Sequence, residues 1–375
     1  MRGYLANVFH LGVKELHSLR RDLVLVLLIL YTFTFAIYTV ANGVKTEVHN
    51  ASIGFVDEDG SELSRRIRDA FLRPYFKPPA VLQHSEIDTA MDDGLYAFII
   101  DIPPSFQTDV LAGRNPALQV NVDATAMTLA GNGSTYIQNI INQELAGFVS
   151  RAEGTASLPV SLTVRAKFNP NLESSWFSAI MQIISNVTML SLILSGASVI
   201  REREHGTIEH LLVMPLRPAE IMLAKIWANG LVIVVAVVMS LYVVVQGFLN
   251  VTVHGSIELF ALGTAVFLFA MTALGIMLST VAKSMPQFGL LAIPFFVVMN
   301  MLSGGVTPLE SMPQYLQIIM QAAPSTHFTA FAQAVLYRGA EFDVVWRQLA
   351  AMTVIGALLM ALALTRFRST MAASH

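Results

Sequence analysis

The sequence predicts a polytopic α-helical membrane protein: six transmembrane helices, with an extracytoplasmic α/β domain inserted after the first. Three observations predict it. The chain is 54 % apolar and only 13 % charged, against roughly 25 % charged in a soluble domain. Its apolar residues gather in one long run near the N-terminus and five in the C-terminal half, with a stretch of ordinary composition between them. The lysines and arginines outside that stretch fall almost entirely on one side of the runs.

Residues 1–22 carry Arg2, Lys14, Arg20 and Arg21 against Glu15 and Asp22, with Leu5, Val8, Phe9, Val13 and Leu16 at helical spacing. That pattern reads as an amphipathic helix lying at the membrane interface. Residues 23–40 hold no charge and make a helix of about 27 Å, just enough to cross the hydrocarbon layer. A signal peptide has a shorter core and small residues at its cut site. Thr39-Val40-Ala41 matches poorly, so the segment reads as a retained span.

Residues 41–173 are different material and hold 10 of the 23 lysines and arginines. Residues 51–57 read as a strand, Glu58-Asp59-Gly60 as a turn, and Ser61 as the start of a helix through Leu63, Ile67, Ala70 and Phe71. Strands are expected at 95–102, before Pro103-Pro104, and at 118–122. A short helix is expected at 106–111 and a longer one at 135–149. The result is a mixed α/β domain with a core large enough to fold alone.

Five further spans are expected at 176–199, 229–249, 259–281, 288–305 and 348–365, inside a membrane region of residues 174–368 that ends in a short tail, 369–375. With the large domain discounted, the N-terminal side receives Arg2, Lys14, Arg20, Arg21, Arg201, Arg203, Arg217, Lys225, Lys283, Arg366 and Arg368. The opposite side receives Arg338 and Arg347. Both termini and the 201–225 segment are therefore expected in the cytoplasm and the large domain outside. Residues 309–336 are apolar but interrupted by Pro313 and Pro324. Each half is too short to cross, so a re-entrant pair on the outer side is expected, with a flat amphipathic lid as the alternative.

No Gly-x-x-x-x-Gly-Lys-Ser/Thr loop and no His-Glu-x-x-His occurs, and there is no cysteine for a disulfide or a thiolate site. His205 and His210 have no third ligand at useful spacing and read as surface residues of a helix. Asp57-Glu58-Asp59-Gly60 lacks the ligand spacing of a calcium loop, and Asn132-Gly133-Ser134 is a short, chance-prone glycosylation match. A net charge of -3 says little about partners, and no nucleic acid is expected. The six span cores hold no Asp, Glu, Lys or Arg. Ion-coupled transport needs such groups, so amphipathic or hydrophobic cargo is favoured. Asn186, Thr188, Ser191 and Ser195, with Asn300 and Ser303, are candidates for lining a pathway; helix–helix hydrogen bonding is the competing reading.

Between the second and third spans runs Arg201-Glu202-Arg203-Glu204-His205-Gly206-Thr207-Ile208-Glu209-His210-Leu211-Leu212-Val213-Met214-Pro215. Gly206 permits a sharp change of direction, Thr207 caps a short helix, Glu209 complements its positive end, and Pro215 stops it. Ile208, Leu211 and Leu212 form an apolar face inside a charged rim. That make-up fits a docking surface, and equally a helix packed on its own bundle.

This stretch, continued to Lys225, resembles the cytoplasmic loop after the second span of ABC-2 type transporter permeases. The branch it is most similar to is the bacterial multidrug-efflux-like one, which carries a large periplasmic domain between the first two spans. Asn300 to Pro308 and Ala323 to Phe328 are similar to that family's fifth-span end and outer helices. The resemblance implies an inner-membrane exporter subunit with no catalytic site and no cofactor of its own. A second permease chain would pair with it, and separate subunits would bind ATP and magnesium. It implies a coupling helix over residues 205–213, with Glu202, Glu204, Gly206, Thr207, Glu209, Leu211 and Leu212 passing on ATP-driven movement and the N-terminal helix bracing the same subunit. Membrane lipid and a periplasmic adaptor are further partners implied. A non-transporting assembly component of the same fold is the alternative.

Overall fold

The structure is a computed structural model and describes residues 2–43, 48, 50–123, 127–152, 174–204, 216–253 and 255–372. The chain divides into two units, Met1–Gly43 with Ser175–His375 and Val44–Ser174.

The first unit holds six helices long and apolar enough to cross a membrane: Leu23–Gly43, Ser175–Glu204, Pro218–Phe248, Ile257–Val281, Met285–Leu302 and Phe342–Arg366. We number them spans one to six. Spans two and four bury most of their surface and form the centre, while one, three, five and six surround them and stay largely exposed. Span three begins at Pro218, eleven residues before the expected start at residue 229 and eight before the uncharged run that opens at Ile226. Its first turn is held by Glu220, whose carboxylate accepts the Arg217 backbone N–H at 2.7 Å. A sequence window that stops at charges cannot see such a start, because a helix continues through charged residues that find partners.

The centre is packed through small residues. A Cβ on Gly275 of span four would fall on the Ser195 hydroxyl and the Leu192 carbonyl of span two, and one on Gly196 would enter the Phe288 ring of span five. The run of small residues around Ser195 thus lets backbones approach closely. The polar residues singled out within the spans are bonded inside the chain. Asn186 donates to the Thr32 carbonyl of span one at 2.6 Å and accepts from Gln182 at 2.8 Å. Asn300 of span five donates to the Ser185 hydroxyl of span two at 2.6 Å. Thr188, Ser191, Ser195 and Ser303 are buried and donate to carbonyls of their own helices.

Residues 309–336 form a helical hairpin, Gln314–Met320 followed by Pro324–Ala332. Its second helix is buried on span four, with Phe328 stacked on Phe267 at 4.1 Å and 3°. Phe267 lies ten residues inside the start of span four, about 15 Å along the helix, roughly half the hydrocarbon thickness. The first helix leaves Tyr315, Ile318 and Ile319 exposed.

The second unit carries a four-stranded mixed sheet of β1 (Ile53–Asp57), β2 (Ala80–Leu82), β3 (Phe98–Ile102) and β4 (Gln119–Val122), in the order β2-β1-β3-β4. β1 pairs parallel with β2 and β3, and β3 antiparallel with β4. β2 is missed by sequence reading because three residues after Pro78-Pro79 carry no periodicity. Ser61 caps the helix Glu62–Asp69 as expected. Phe55, Phe71, Phe76, Phe98 and Phe106 form the core beneath the sheet. The Asp57 carboxylate is consumed by its own turn, accepting the N–H groups of Asp59 and Gly60 and the Ser64 hydroxyl. Among the described residues, no group of three or more His, Asp or Glu side chains is placed to hold a metal. Asn132-Gly133-Ser134 lies within the helix Met127–Ala152, with Gly133 against the Phe98 ring, which is poor context for glycosylation in a loop.

Candidate coupling site at the end of span two

The last turn of span two is Arg201-Glu202-Arg203-Glu204. Successive residues of an α-helix point about 100° apart, so these four side chains leave the helix in four directions. Each reaches a different span. Arg201 pairs with Asp22 at 3.0 Å, and Asp22 in turn caps the start of span one by accepting the Leu25 N–H at 3.2 Å. Glu202 pairs with Lys225 of span three at 2.9 Å. The Arg203 guanidinium donates to the Ser279 and Ala282 carbonyls at the end of span four, at 3.2 and 2.7 Å. The Glu204 carboxylate accepts the Met285 N–H at the start of span five, at 3.0 Å.

The signs follow from the helix termini. The end of span four presents unpaired carbonyls and partial negative charge, where a guanidinium is favoured. The start of span five presents unpaired N–H groups and partial positive charge, where a carboxylate is favoured. Lys225 is 2 % exposed and is held by two acids, Glu202 at 2.9 Å and Glu15 of the N-terminal helix at 2.8 Å. An ammonium buried this deeply is stable only because both partners are charged and close.

The N-terminal helix, Arg2–Arg21, is docked on span three by the same cluster. Asn7 donates to Glu220 at 3.3 Å, the Trp227 indole N–H donates to the Val8 carbonyl at 3.1 Å, and Trp227 fills the notch left by Gly12. Its packed face is therefore the one bearing Asn7, Gly12 and Glu15. Leu5 and Phe9 of the apolar stripe remain mostly exposed, with the Phe9 ring stacked on Trp227 at 5.8 Å.

Of the residues singled out in the sequence for coupling, Glu202 and Glu204 are thus brought into one knot. Gly206, Thr207, Glu209, Leu211 and Leu212, with the whole expected 205–213 helix, lie outside the described residues. Sequence reading passed over Glu15, Asp22, Glu220 and Lys225. A signal was present, since charge placement puts all four at the same membrane level as 201–204, but spacing alone does not pair them.

The family model described as ABC-2 family transporter protein matches residues 23–365. The chain belongs to the ABC-2 transporter family. It is 51 % identical over 367 residues to the inner membrane transport permease YhhJ of Escherichia coli K12, covering 98 % of both chains. It is 27 % identical over 361 residues to the probable multidrug ABC transporter permease YbhR of the same organism, covering 95 % of this chain and 96 % of that one. It also matches ABC transporter G family member 20 of Dictyostelium discoideum at 23 % over 257 residues, 66 % of this chain and 35 % of that one. The permease is a transmembrane subunit of an ABC transporter, and its knot at residues 201–204 joins four of its spans to the second.

Proposed function

We propose that the permease is the membrane half of an exporter in the bacterial inner membrane, driven by separate ATP-hydrolysing subunits that bind magnesium and ATP and grip residues 201–218. Both termini lie in the cytoplasm, the 41–173 domain faces the periplasm and offers a surface to an adaptor, and a second permease chain completes the pathway. The observation that carries this reading is the knot. A push on the segment that follows Glu204 reaches spans one, three, four and five through one helical turn, and the N-terminal helix through Lys225. A coupling helix over 205–213, acting through Gly206, Thr207, Glu209, Leu211 and Leu212, would deliver that push.

Cargo is amphipathic or hydrophobic. A crevice of about 260 Å³ between spans two and five is lined almost wholly by apolar groups, among them Met189, Ile193, Phe288, Ala292 and Phe296. Asn186, Thr188, Ser191, Asn300 and Ser303 do not line this crevice, and the Asn300–Ser185 bond ties the two spans together. Opening a pathway for cargo requires that tie to break and re-form with the nucleotide state of the partner. The relatives support transport: one is named a transport permease and another a probable multidrug permease.

The test is purification of the full chain from mild detergent, identification of co-eluting chains, and ATPase assay with hydrophobic and lipid-like compounds. A co-purifying ATPase stimulated by such compounds, and lost from the complex on Glu204→Lys, is the expected result. A chain that never carries an ATPase, or a Glu204→Lys variant with unchanged association and transport, overturns the proposal.

A further inference from the structure

Two cavities meet where the N-terminal helix, span one and span three come together, apart from the crevice assigned to cargo. The first, about 280 Å³, is walled by Lys14, Glu15, Ser18, Arg201, Glu202 and Asn229, with Leu19 at its edge. The second, about 360 Å³, also begins at Leu19 and is almost entirely apolar. It follows Ile29 and Phe33 along span one, and Val232, Ala236 and Val243 along span three. The two cavities thus share Leu19 as a wall, the first carrying charged groups and the second almost wholly apolar. The eleven-residue step from Val232 to Val243 is about 17 Å of helix, the depth of one leaflet.

Asn229 stands in the wall of the chamber, three residues before Val232. It is 5 % exposed, and its Nδ2 amide has no acceptor among the described residues. Buried amide donors nearly always have one. Around the chamber the charges balance, with Lys14, Arg201 and Lys225 facing Glu15, Glu202 and Asp22. Of the three cations, Lys14 alone makes no ion pair among the described residues. The site thus offers a free ammonium and a free amide donor to an oxygen acceptor, no net charge, and a leaflet-deep apolar trough leading away.

We propose that it binds one glycerophospholipid with a zwitterionic amine headgroup. The phosphate sits on the Asn229 amide and the Lys14 ammonium, and an acyl chain lies in the groove between spans one and three. An anionic lipid would bring uncompensated charge into a balanced chamber. A protein segment would have to supply both an apolar strip and a buried acceptor at its end.

The test uses the full chain purified in mild detergent, with bound lipid measured by mass spectrometry per mole of protein after exchange into phosphatidylethanolamine or phosphatidylglycerol. Wild type is expected to retain phosphatidylethanolamine. Asn229→Leu, which removes the donor while keeping the γ-branched shape, and Ala236→Trp, which fills the groove, should each lower retention about tenfold, as expected for one lost charge-assisted contact or a blocked trough. Unchanged retention in both variants overturns the proposal, as does preferential retention of phosphatidylglycerol. Ala236→Trp that separates permease copies without loss of lipid also overturns it, because the groove then belongs to a second chain. None of these outcomes depends on the ATPase or the cargo, so the exporter reading stands or falls separately.

Discussion

The two ends of the helix bundle are held by opposite means. At one end Arg201, Glu202, Arg203 and Glu204 each make a directed, charge-assisted bond to a different span. From the other end to mid-span, Phe328 and Phe331 of the segment before span six pack as near-parallel plates on Phe267 and Phe260 of span four, with Phe331 over Gly263. Ring stacks are stabilised by area and tolerate a small slip. Charged hydrogen bonds in a low-dielectric setting are steep in distance and angle and name one partner each. The charged end is therefore the one suited to transmitting a displacement, and the aromatic stack the one suited to yielding gradually. That contrast suits a lever at one end and a pivot at the other.

The largest expected effect breaks the charged end at its most buried point. Lys225→Met leaves Glu15 and Glu202 facing each other without a counter-ion, which costs about 3–5 kcal/mol. The thermal midpoint in detergent should fall sharply. The triple variant with Glu15→Gln and Glu202→Gln should recover most of it, because the penalty comes from unpaired charge and not from lost contact. No recovery would mean that packing, not electrostatics, holds this end.

Next in size is the contact between spans two and four, one turn of span four from the Ser279 carbonyl that Arg203 holds. Gly275→Ala pushes a methyl group against Ser195 and Leu192 and should cost about 1–3 kcal/mol, read as a lower thermal midpoint. Ser195→Gly in the same chain should relieve part of it. Smaller again is Phe328→Leu at the aromatic end, about 1–2 kcal/mol from lost stacking and volume. It should lower the midpoint while leaving ATPase coupling intact, whereas a coupling defect in Phe328→Leu would remove the distinction between lever and pivot.

The two ends also differ in how legible they were. The spans announce themselves through length and absence of charge, because lipid imposes that composition on any helix that crosses it. The 201–204 segment announces its importance through charge in an uncharged setting, but not its partners. Pairing Glu202 with Lys225 or Arg203 with the end of span four depends on which helices are neighbours, and sequence spacing carries no information about that. The same blindness affected the N-terminal helix. Its apolar stripe was visible, but not the side that docks on Trp227 and Lys225, which lie more than 200 residues further along the chain. Asn186 and Asn300 were visible as polar groups in apolar spans, and only the fold shows them bonded to Thr32 and Ser185. β2 was invisible for a different reason, being three residues long and held by register with β1 alone.

The smallest effect on stability is expected where the knot touches water, and it separates holding from transmitting. Arg201 is 38 % exposed on its side chain and pairs with Asp22, itself 27 % exposed. An exposed pair of this kind contributes about 0.2–1 kcal/mol, so Arg201→Ala should leave the thermal midpoint within a degree or two of wild type. Asp22 nevertheless caps span one, and Arg201 is the bond by which span two reaches it. If the charged end works as a lever, Arg201→Ala should reduce cargo-stimulated ATPase activity while basal ATPase activity and association with the ATPase subunit persist. Asp22→Asn keeps a side-chain oxygen for the cap but weakens the pair, and it should reproduce the coupling loss at nearly full stability. Both variants stable and both fully coupled would show that span one is carried passively, and that the knot needs only its other three arms.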